Sequence, residues 1–346
     1  MAVRTIPEPQ TATATQPSLA LFFETINAYQ RTEALKSALE LDVFTAIGEG
    51  KRAAESIAAR CGASERGIRI LCDYLVTIGF LNKQDASYGL TADSAMFLDR
   101  RSPTYVGGTV AFLASPMLTD AFKSLTAAVR NGGTTGGEGT IAPEHPVWVE
   151  FARAMAPMMA LPAQLLTDIA SPGLPPNPRI LDIAAGHGLF GIAFARRHAG
   201  ARVTAVDWPN VLQVARENAR QAGVGDRYRT VPGSAFDVDF GGPYDLALIT
   251  NFLHHFGPEQ CEAFLRKVHS ALASEGRALT LEFVPNPDRI TPTLPAQFSL
   301  IMLGGTPEGD AYTFPEFERM FANAGFSETV MHELPPTFFR VLVSNK

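Results

Sequence analysis

The spacing of apolar positions divides the chain into a helical part and an alternating part. Between Pro17 and about Leu98 it is helical and then briefly strand-like. Ile68, Leu71, Cys72, Leu75 and Val76 recur at the spacing of one helix face, and Ser64 stands at the N-cap position. This helix is expected to end near Gly79, with Phe80-Leu81 and Ser87–Leu90 forming a two-stranded wing. Helix, short helix, turn at Cys61-Gly62-Ala63, helix and wing predict a winged helix-turn-helix over 17–100. Residues 101–170 contain a Gly/Thr-rich stretch, Asn131–Gly139, and then an apolar helix with Phe151, Met155, Met158, Met159 and Leu161. The proline-rich Ser171–Pro178 reads as a stiff linker.

From Arg179 strand and helix patterns alternate. Strands are expected at Arg179–Ile183, Arg202–Val206, Tyr228–Val231, Asp245–Thr250 and Ala278–Val284, with helices at Leu189–Arg197, Val211–Ala222 and Glu259–Ala273. This rhythm predicts a doubly wound, mostly parallel α/β sheet. A capping box, Thr313-x-x-Glu316, starts a helix closed by Gly325; two strands follow, Glu328–Glu333 and Phe339–Ser344. The joint between them, Leu334–Thr337, is too short for a parallel crossover, so the pair must be antiparallel.

Composition narrows the function. The 346 residues carry 29 basic and 35 acidic side chains, a net charge of −6, and 46 % are apolar, enough for a core in about two domains. The first 100 residues hold 10 basic and 12 acidic groups, and the would-be recognition helix, Glu65–Leu75, balances two arginines with two acids. A helix that reads DNA needs a basic outer face, so the module is expected to pack or dimerise rather than bind nucleic acid. Residues 1–16, rich in Thr, Ala, Pro and Gln, read as a disordered lead-in. Three cysteines without a CxxC pair support neither a disulfide framework nor structural zinc, and no apolar run approaches membrane-spanning length. A cytoplasmic protein without a membrane partner is the expectation.

The strongest chemical signal is Ile180-Leu181-Asp182-Ile183-Ala184-Ala185-Gly186-His187-Gly188, a strand running into a glycine-bearing turn and a helix. That turn lets a ligand approach the backbone and helix N-terminus. Asp207 ends the next strand 19 residues after Gly188, where a carboxylate can accept both ribose hydroxyls. Gly186-x-Gly188-x-x-Gly191 also matches the dinucleotide fingerprint. Three features favour S-adenosylmethionine instead: Asp182 four residues before the first glycine, the position of the domain behind a helical module, and the antiparallel final pair, which fits a seven-stranded methyltransferase sheet.

Here the chain resembles the plant and bacterial small-molecule O-methyltransferases that carry an N-terminal winged-helix dimerisation domain. The likeness spans about residue 20 to 346 and rests on Asp182–Gly188, Val206–Pro209, Gly233–Phe236, Asn251–Phe256 with Glu259-Gln260-Cys261, and Phe317-Glu318…Ala324–Phe326. It implies a Rossmann-like domain over 171–346 and a homodimer through residues 17–100. It also implies S-adenosylmethionine as methyl donor, with S-adenosylhomocysteine as product. Ala184, Gly186 and Asp207 would contact the methionine and ribose parts, and Trp208, Ser234, Ala235 and Phe236 would surround the adenine. Asp182, Gly188, Gly233 and Asn251 would also bind the cofactor. Ala184 stands where a glycine is common, Ser234 where an aspartate contacts adenine, and Thr250 where plant members carry a lysine.

Methyl transfer to a hydroxyl needs in-line geometry and a base titrating nearer neutrality than a phenol, for which histidine is suited. By the resemblance the base is His254, just beyond the Asp245–Thr250 strand. Glu282, ending the next strand, would orient it, and His255 replaces the family's aspartate. Adjacent residues project apart, so His254-His255 is not expected to bind metal. Asp310 lies one position from a second family glutamate. Residues 101–170 would wall the acceptor pocket, with Met155, Met158, Met159, Phe298 and Met302 lining it. The sequence thus points to O-methylation of a small aromatic metabolite. C- or N-methylation, a cofactor-binding hydroxylase or decarboxylase, and a winged-helix regulator remain as alternatives.

Overall fold

The computed structural model describes residues 17–346, so the expected lead-in lies outside the described residues. The chain divides into two compact units at Gly107–Gly108.

The first unit is helical with one small hairpin. Helices at Ala20–Ile26, Ala28–Glu40, Val43–Gly48, Ala54–Cys61 and Glu65–Thr77 precede β1 (Leu81–Gln84) and β2 (Ser87–Leu90), which pair antiparallel; a helix at Ala92–Phe97 follows. Ser64 Oγ accepts the Gly67 N–H at 3.1 Å, so the expected cap starts the helix whose buried face is Ile68, Cys72 and Leu75. That face packs in a core with Phe44, Ile57, Leu81 and Tyr88. On the opposite side, Asp73 binds Arg69 at 3.2 Å and also accepts from Lys83 and Tyr88. The acid thereby engages one of the helix's two arginines, which leaves little of a phosphate-binding face. Leu21, Phe22, Phe23, Ile26 and Tyr29 of the first two helices are all more than half exposed.

The second unit is a seven-stranded sheet: β3 (Arg179–Ile183), β4 (Arg202–Asp207), β5 (Tyr228–Pro232), β6 (Tyr244–Thr250), β7 (Leu272–Glu282), β8 (Glu328–Glu333) and β9 (Arg340–Asn345). Their order is β5-β4-β3-β6-β7-β9-β8, with β9 antiparallel to both neighbours and the strands from β5 to β7 pairing in parallel. Successive residues of the central strands feed opposite layers. Ile180, Leu246 and Leu248 pack with the helices Val147–Ala170 and Leu189–Arg197; Leu181, Ala247 and Ile249 pack with Pro258–Ala271 and Phe314–Asn323. Both faces being covered explains why these strands read as nearly continuous apolar runs. The chain order reverses between β3 and β6, and such a switch point opens a crevice at the carboxyl ends of the strands.

One expectation needs revision. β7 begins at Leu272 rather than Ala278, and its preceding helix stops at Ala271. The pairing register with β6 shifts between Tyr244 and Leu246, and the polar Ser274-Glu275-Gly276 excursion hides the strand from a period-two reading. Among the described residues no helix is long and apolar enough to cross a membrane, and no group of three or more His, Cys, Asp or Glu side chains could hold a metal ion.

Candidate active site

A cavity of about 300 Å³ lies at the switch point, within the second unit. Its floor is the turn after β3, where Ala184 takes φ +52°, Gly186 +56° and Gly188 +76°. Asp207, ending β4, holds this turn: Oδ2 accepts the Gly186 N–H at 2.8 Å and Oδ1 the Trp208 N–H at 2.7 Å. Burial pushes its carboxyl up to about 6, although the two backbone N–H groups oppose that shift. Gly233 N–H donates to the Asp207 carbonyl at 2.9 Å, which sets Ser234, Ala235 and Phe236 along the next wall. Lys267, absent from the sequence expectations, holds that wall from behind by donating to the Ala235 and Phe236 carbonyls at 3.0 and 2.7 Å.

Of the expected cofactor residues, Ala184, Gly186, Asp207, Trp208, Gly233, Ser234, Ala235, Phe236 and Asn251 line the cavity. Asp182 and Gly188 do not; they lie beneath the turn. Asp182 is fully buried, and its Oδ2 accepts the Gly191 N–H at 3.0 Å, fastening the start of the Leu189–Arg197 helix. Burial pushes its carboxyl up to about 8, with a further contribution from Asp207. A Cβ at Gly191 would stand 2.6 Å from Asp182 Oδ2, and one at Gly188 2.6 Å from the Tyr228 hydroxyl. The acid-first motif is therefore a packing device under the ligand turn. His187, which sits in the glycine turn and was given no role from the sequence, lines the cavity; its Nδ1 accepts the Leu189 N–H at 3.2 Å, and burial holds it at about 4, hence neutral.

The other end of the cavity belongs to β6 and β7. Glu282 is fully buried at the end of β7. Its Oε1 accepts the Phe252 and Leu253 N–H groups at 2.9 Å each, and its Oε2 lies 2.5 Å from His254 Nδ1. His254 Nε2 is 3.1 Å from His255 Nε2. Phe298 stands edge-on to His254 at 4.8 Å and stacks on Phe283 at 3.8 Å. His255 lines the cavity, whereas His254 sits behind it.

The aromatic wall differs from the expected one. Met155 and Met159 are buried in the layer between the Val147–Ala170 helix and the sheet, Met158 packs against the same cluster, and Met302 is buried in its own helix. None of these four methionines lines the cavity, nor does Phe298. Their place is taken by Ile141, Trp148 and Phe151 from the same 101–170 stretch. Trp148 is fixed by its Nε1–H to the Thr140 carbonyl at 2.9 Å and stands edge-on to Phe151 and His255. Helical spacing marked an apolar face without saying which side of the helix meets the sheet. Asp310 is engaged elsewhere, with Arg289 at 3.0 Å.

The residues present suit S-adenosylmethionine. A Cβ at Gly186 would meet no protein atom nearer than 3.9 Å and would intrude on the cavity, and the buried Asn251 Oδ1 on its wall has no protein partner among the described residues. A doubly wound sheet with a reversed β9, an acid-held glycine turn and a Glu–His pair behind one end of the same cavity is the construction of a methyltransferase. Comparison with known proteins agrees: residues 122–327 match the O-methyltransferase domain model and residues 23–100 the O-methyltransferase dimerisation domain model. The chain belongs to the S-adenosylmethionine-dependent O-methyltransferase family.

It is 30 % identical over 304 residues to the 3-hydroxy-5-methyl-1-naphthoate 3-O-methyltransferase of Streptomyces sahachiroi, covering 86 % of each chain. It is 28 % identical to the tetracenomycin polyketide synthesis 8-O-methyl transferase of Streptomyces glaucescens, covering 87 % of this chain and 89 % of that one. Among solved structures, a candidate O-methyltransferase from Nostoc punctiforme superposes with TM-score 0.93 at 56 % identity, covering 96 % of this chain and all of that one.

Proposed function

We propose that this enzyme methylates a hydroxyl on a small aromatic, polycyclic metabolite, with His254 as the base and Glu282 as its support. The observation that carries the reading is the buried Glu282–His254 pair next to the cavity that holds Asp207 and Gly186. Trp148, Phe151 and Ile141 offer flat apolar surface for an aromatic acceptor. Curated relatives act, by name, on a naphthoate, on a tetracenomycin polyketide and on a phenazine.

When bound, the cofactor supplies an electrophilic methyl group on a sulfonium and takes up the electron pair of the breaking bond. Asp207, Gly186 and Ala184 would hold its ribose and methionine parts, and Ser234, Phe236 and Trp208 its adenine. The protein's own work is to exclude water, align the acceptor oxygen and remove its proton. Glu282 keeps the imidazole of His254 oriented with Nδ1 toward the carboxylate, and stabilises the imidazolium that forms. Incubation with labelled S-adenosylmethionine and a panel of hydroxynaphthoates, hydroxyphenazines and simple phenols tests this. A labelled methyl ether supports it, whereas a labelled methyl ester, label on carbon or nitrogen, or none transferred, would overturn it.

The assembly we infer is a homodimer through the first unit, where Leu21, Phe22, Phe23, Ile26 and Tyr29 expose an apolar stretch within and beside the matched dimerisation domain. Sedimentation at micromolar concentration should give twice the chain mass. A cytoplasmic location fits the three free cysteines, two of them buried.

A further inference from the structure

We propose that His254 acts as the base through His255: His255 meets the acceptor hydroxyl and relays its proton to His254, beside the Glu282 carboxylate. The inference rests on the methyl-transfer reading and deepens it. Both ring nitrogens of His254 are occupied, Nδ1 by Glu282 Oε2 and Nε2 by His255 Nε2. Of the two histidines, His255 is the one on the cavity wall.

The tautomers follow from counting donors. Glu282 is acceptor-only, and two backbone N–H groups already fill Oε1, so Oε2 takes the His254 Nδ1–H. In a neutral ring the opposite nitrogen, His254 Nε2, is then an acceptor. The hydrogen between the rings therefore belongs to His255 Nε2, and His255 Nδ1 is left with a lone pair. That atom is buried and has no hydrogen-bond partner among the described residues. It is an acceptor that a hydroxyl donor would satisfy. The Trp148 ring stands edge-on to His255 at 5.1 Å on the same wall.

The proton count balances. The acceptor O–H bond breaks and an Nδ1–H bond forms on His255; His255 passes its Nε2 proton to His254 Nε2. His255 ends neutral in the opposite tautomer, His254 ends as an imidazolium facing the Glu282 carboxylate, and the oxygen keeps the electron pair with which it attacks. A charge resting on His255 would have no carboxylate within hydrogen-bond reach among the described residues. Burial and the neighbouring His254 hold that ring's pKa well below the ordinary histidine value, which drives the proton onward.

Two measurements decide the matter. Nitrogen-15 NMR of the unaltered, histidine-labelled full chain should show a protonated Nδ1 on His254 and a protonated Nε2 on His255; the reverse tautomer on either ring would overturn the relay. With 3-hydroxy-2-naphthoate as probe acceptor, His255→Asn and His254→Asn should each lower kcat by roughly 10²–10⁴-fold. The double variant should be no worse than the poorer single one by more than about threefold, because the two rings act as a unit. Calorimetric affinity for S-adenosylmethionine should stay within about threefold in all three. A His255→Asn enzyme with near-normal kcat, or losses that multiply in the double variant, would sink the proposal. If the unaltered enzyme methylates no aromatic hydroxyl, the acceptor reading fails, and the tautomers alone decide the relay.

Discussion

The two ends of the cavity are built from different materials. At the β3–β4 end the contacts are largely backbone: Gly186 and Trp208 N–H groups on Asp207, and positive φ at Ala184, Gly186 and Gly188. At the β6–β7 end they converge on side chains: Glu282, His254, His255 and the aromatic rings beside them. A backbone cradle recognises a constant ligand and tolerates substitution poorly. A side-chain cluster can change its chemistry by one residue. On the proposed reading, the backbone end holds the methyl donor and the side-chain end receives the acceptor and its proton.

Substitutions at the two ends should therefore fail in different ways. The largest effect is expected from Glu282→Gln, whose amide would face His254 Nδ1 with a donor and reverse its tautomer. Turnover should fall about 10³–10⁴-fold, as when a triad acid is replaced, with S-adenosylmethionine affinity little changed. Retained turnover in steady-state assays would dissolve the contrast between the ends. Next comes Asp207→Asn, which keeps one strong backbone acceptor and loses the charge. Affinity by calorimetry should drop roughly 10–100-fold, about 1.4–2.7 kcal/mol, while kcat at saturation changes little.

Acidity sharpens the same point. Below about pH 6 the Asp207 carboxyl carries a proton and no longer offers two charged acceptors, so affinity should weaken as pH falls from 7 to 5. The Asn variant should lack that dependence. Packing beneath the cradle gives the next effect. Gly188→Ala would force a Cβ at φ +76° to within 2.6 Å of the Tyr228 hydroxyl and should cost about 1–3 kcal/mol in denaturant unfolding.

Asp182 has a sign of its own. Its folded pKa, about 8, lies above the ordinary aspartate value, so its contribution to stability is present at low pH and is lost as pH rises toward 8. Asp182→Asn should flatten the fall in Tm between about pH 5 and 8; an unchanged slope would argue that Asp182 is already ionised in the fold. The smallest effect is a gain. Ala184→Gly relieves a left-handed alanine and should stabilise the chain by about 1 kcal/mol without weakening cofactor binding.

Much of this was legible in the sequence because local rules carried it. The Ser64 cap, the Thr313–Glu316 capping box, the wing and the reversed β9 depend on near neighbours or on a joint too short for any alternative. The turn after β3 and Asp207 were readable because a strand, a turn and the next strand end lie in fixed succession. Three things escaped. The start of β7 was masked by a polar excursion that only its pairing with β6 reveals. The methionines look like a pocket wall on a helical wheel, but the wheel cannot say which face meets the sheet. Lys267 and Trp148 stand at the site by virtue of partners 31–32 and 8 residues away, with no motif around them.

The sequence by itself determined the layered α/β architecture and the glycine turn with its acid, because period, turn residues and strand ends are local properties; the roles given to His254 and Glu282 came from the family resemblance. Tertiary structure alone decided that Asp182 supports the turn rather than touching the cavity, that Ile141, Trp148 and Phe151 form the wall, and that His255 stands in front of His254. Those choices depend on which side of an element faces its neighbour across the sheet. No spacing along one strand or helix encodes that until the layers close.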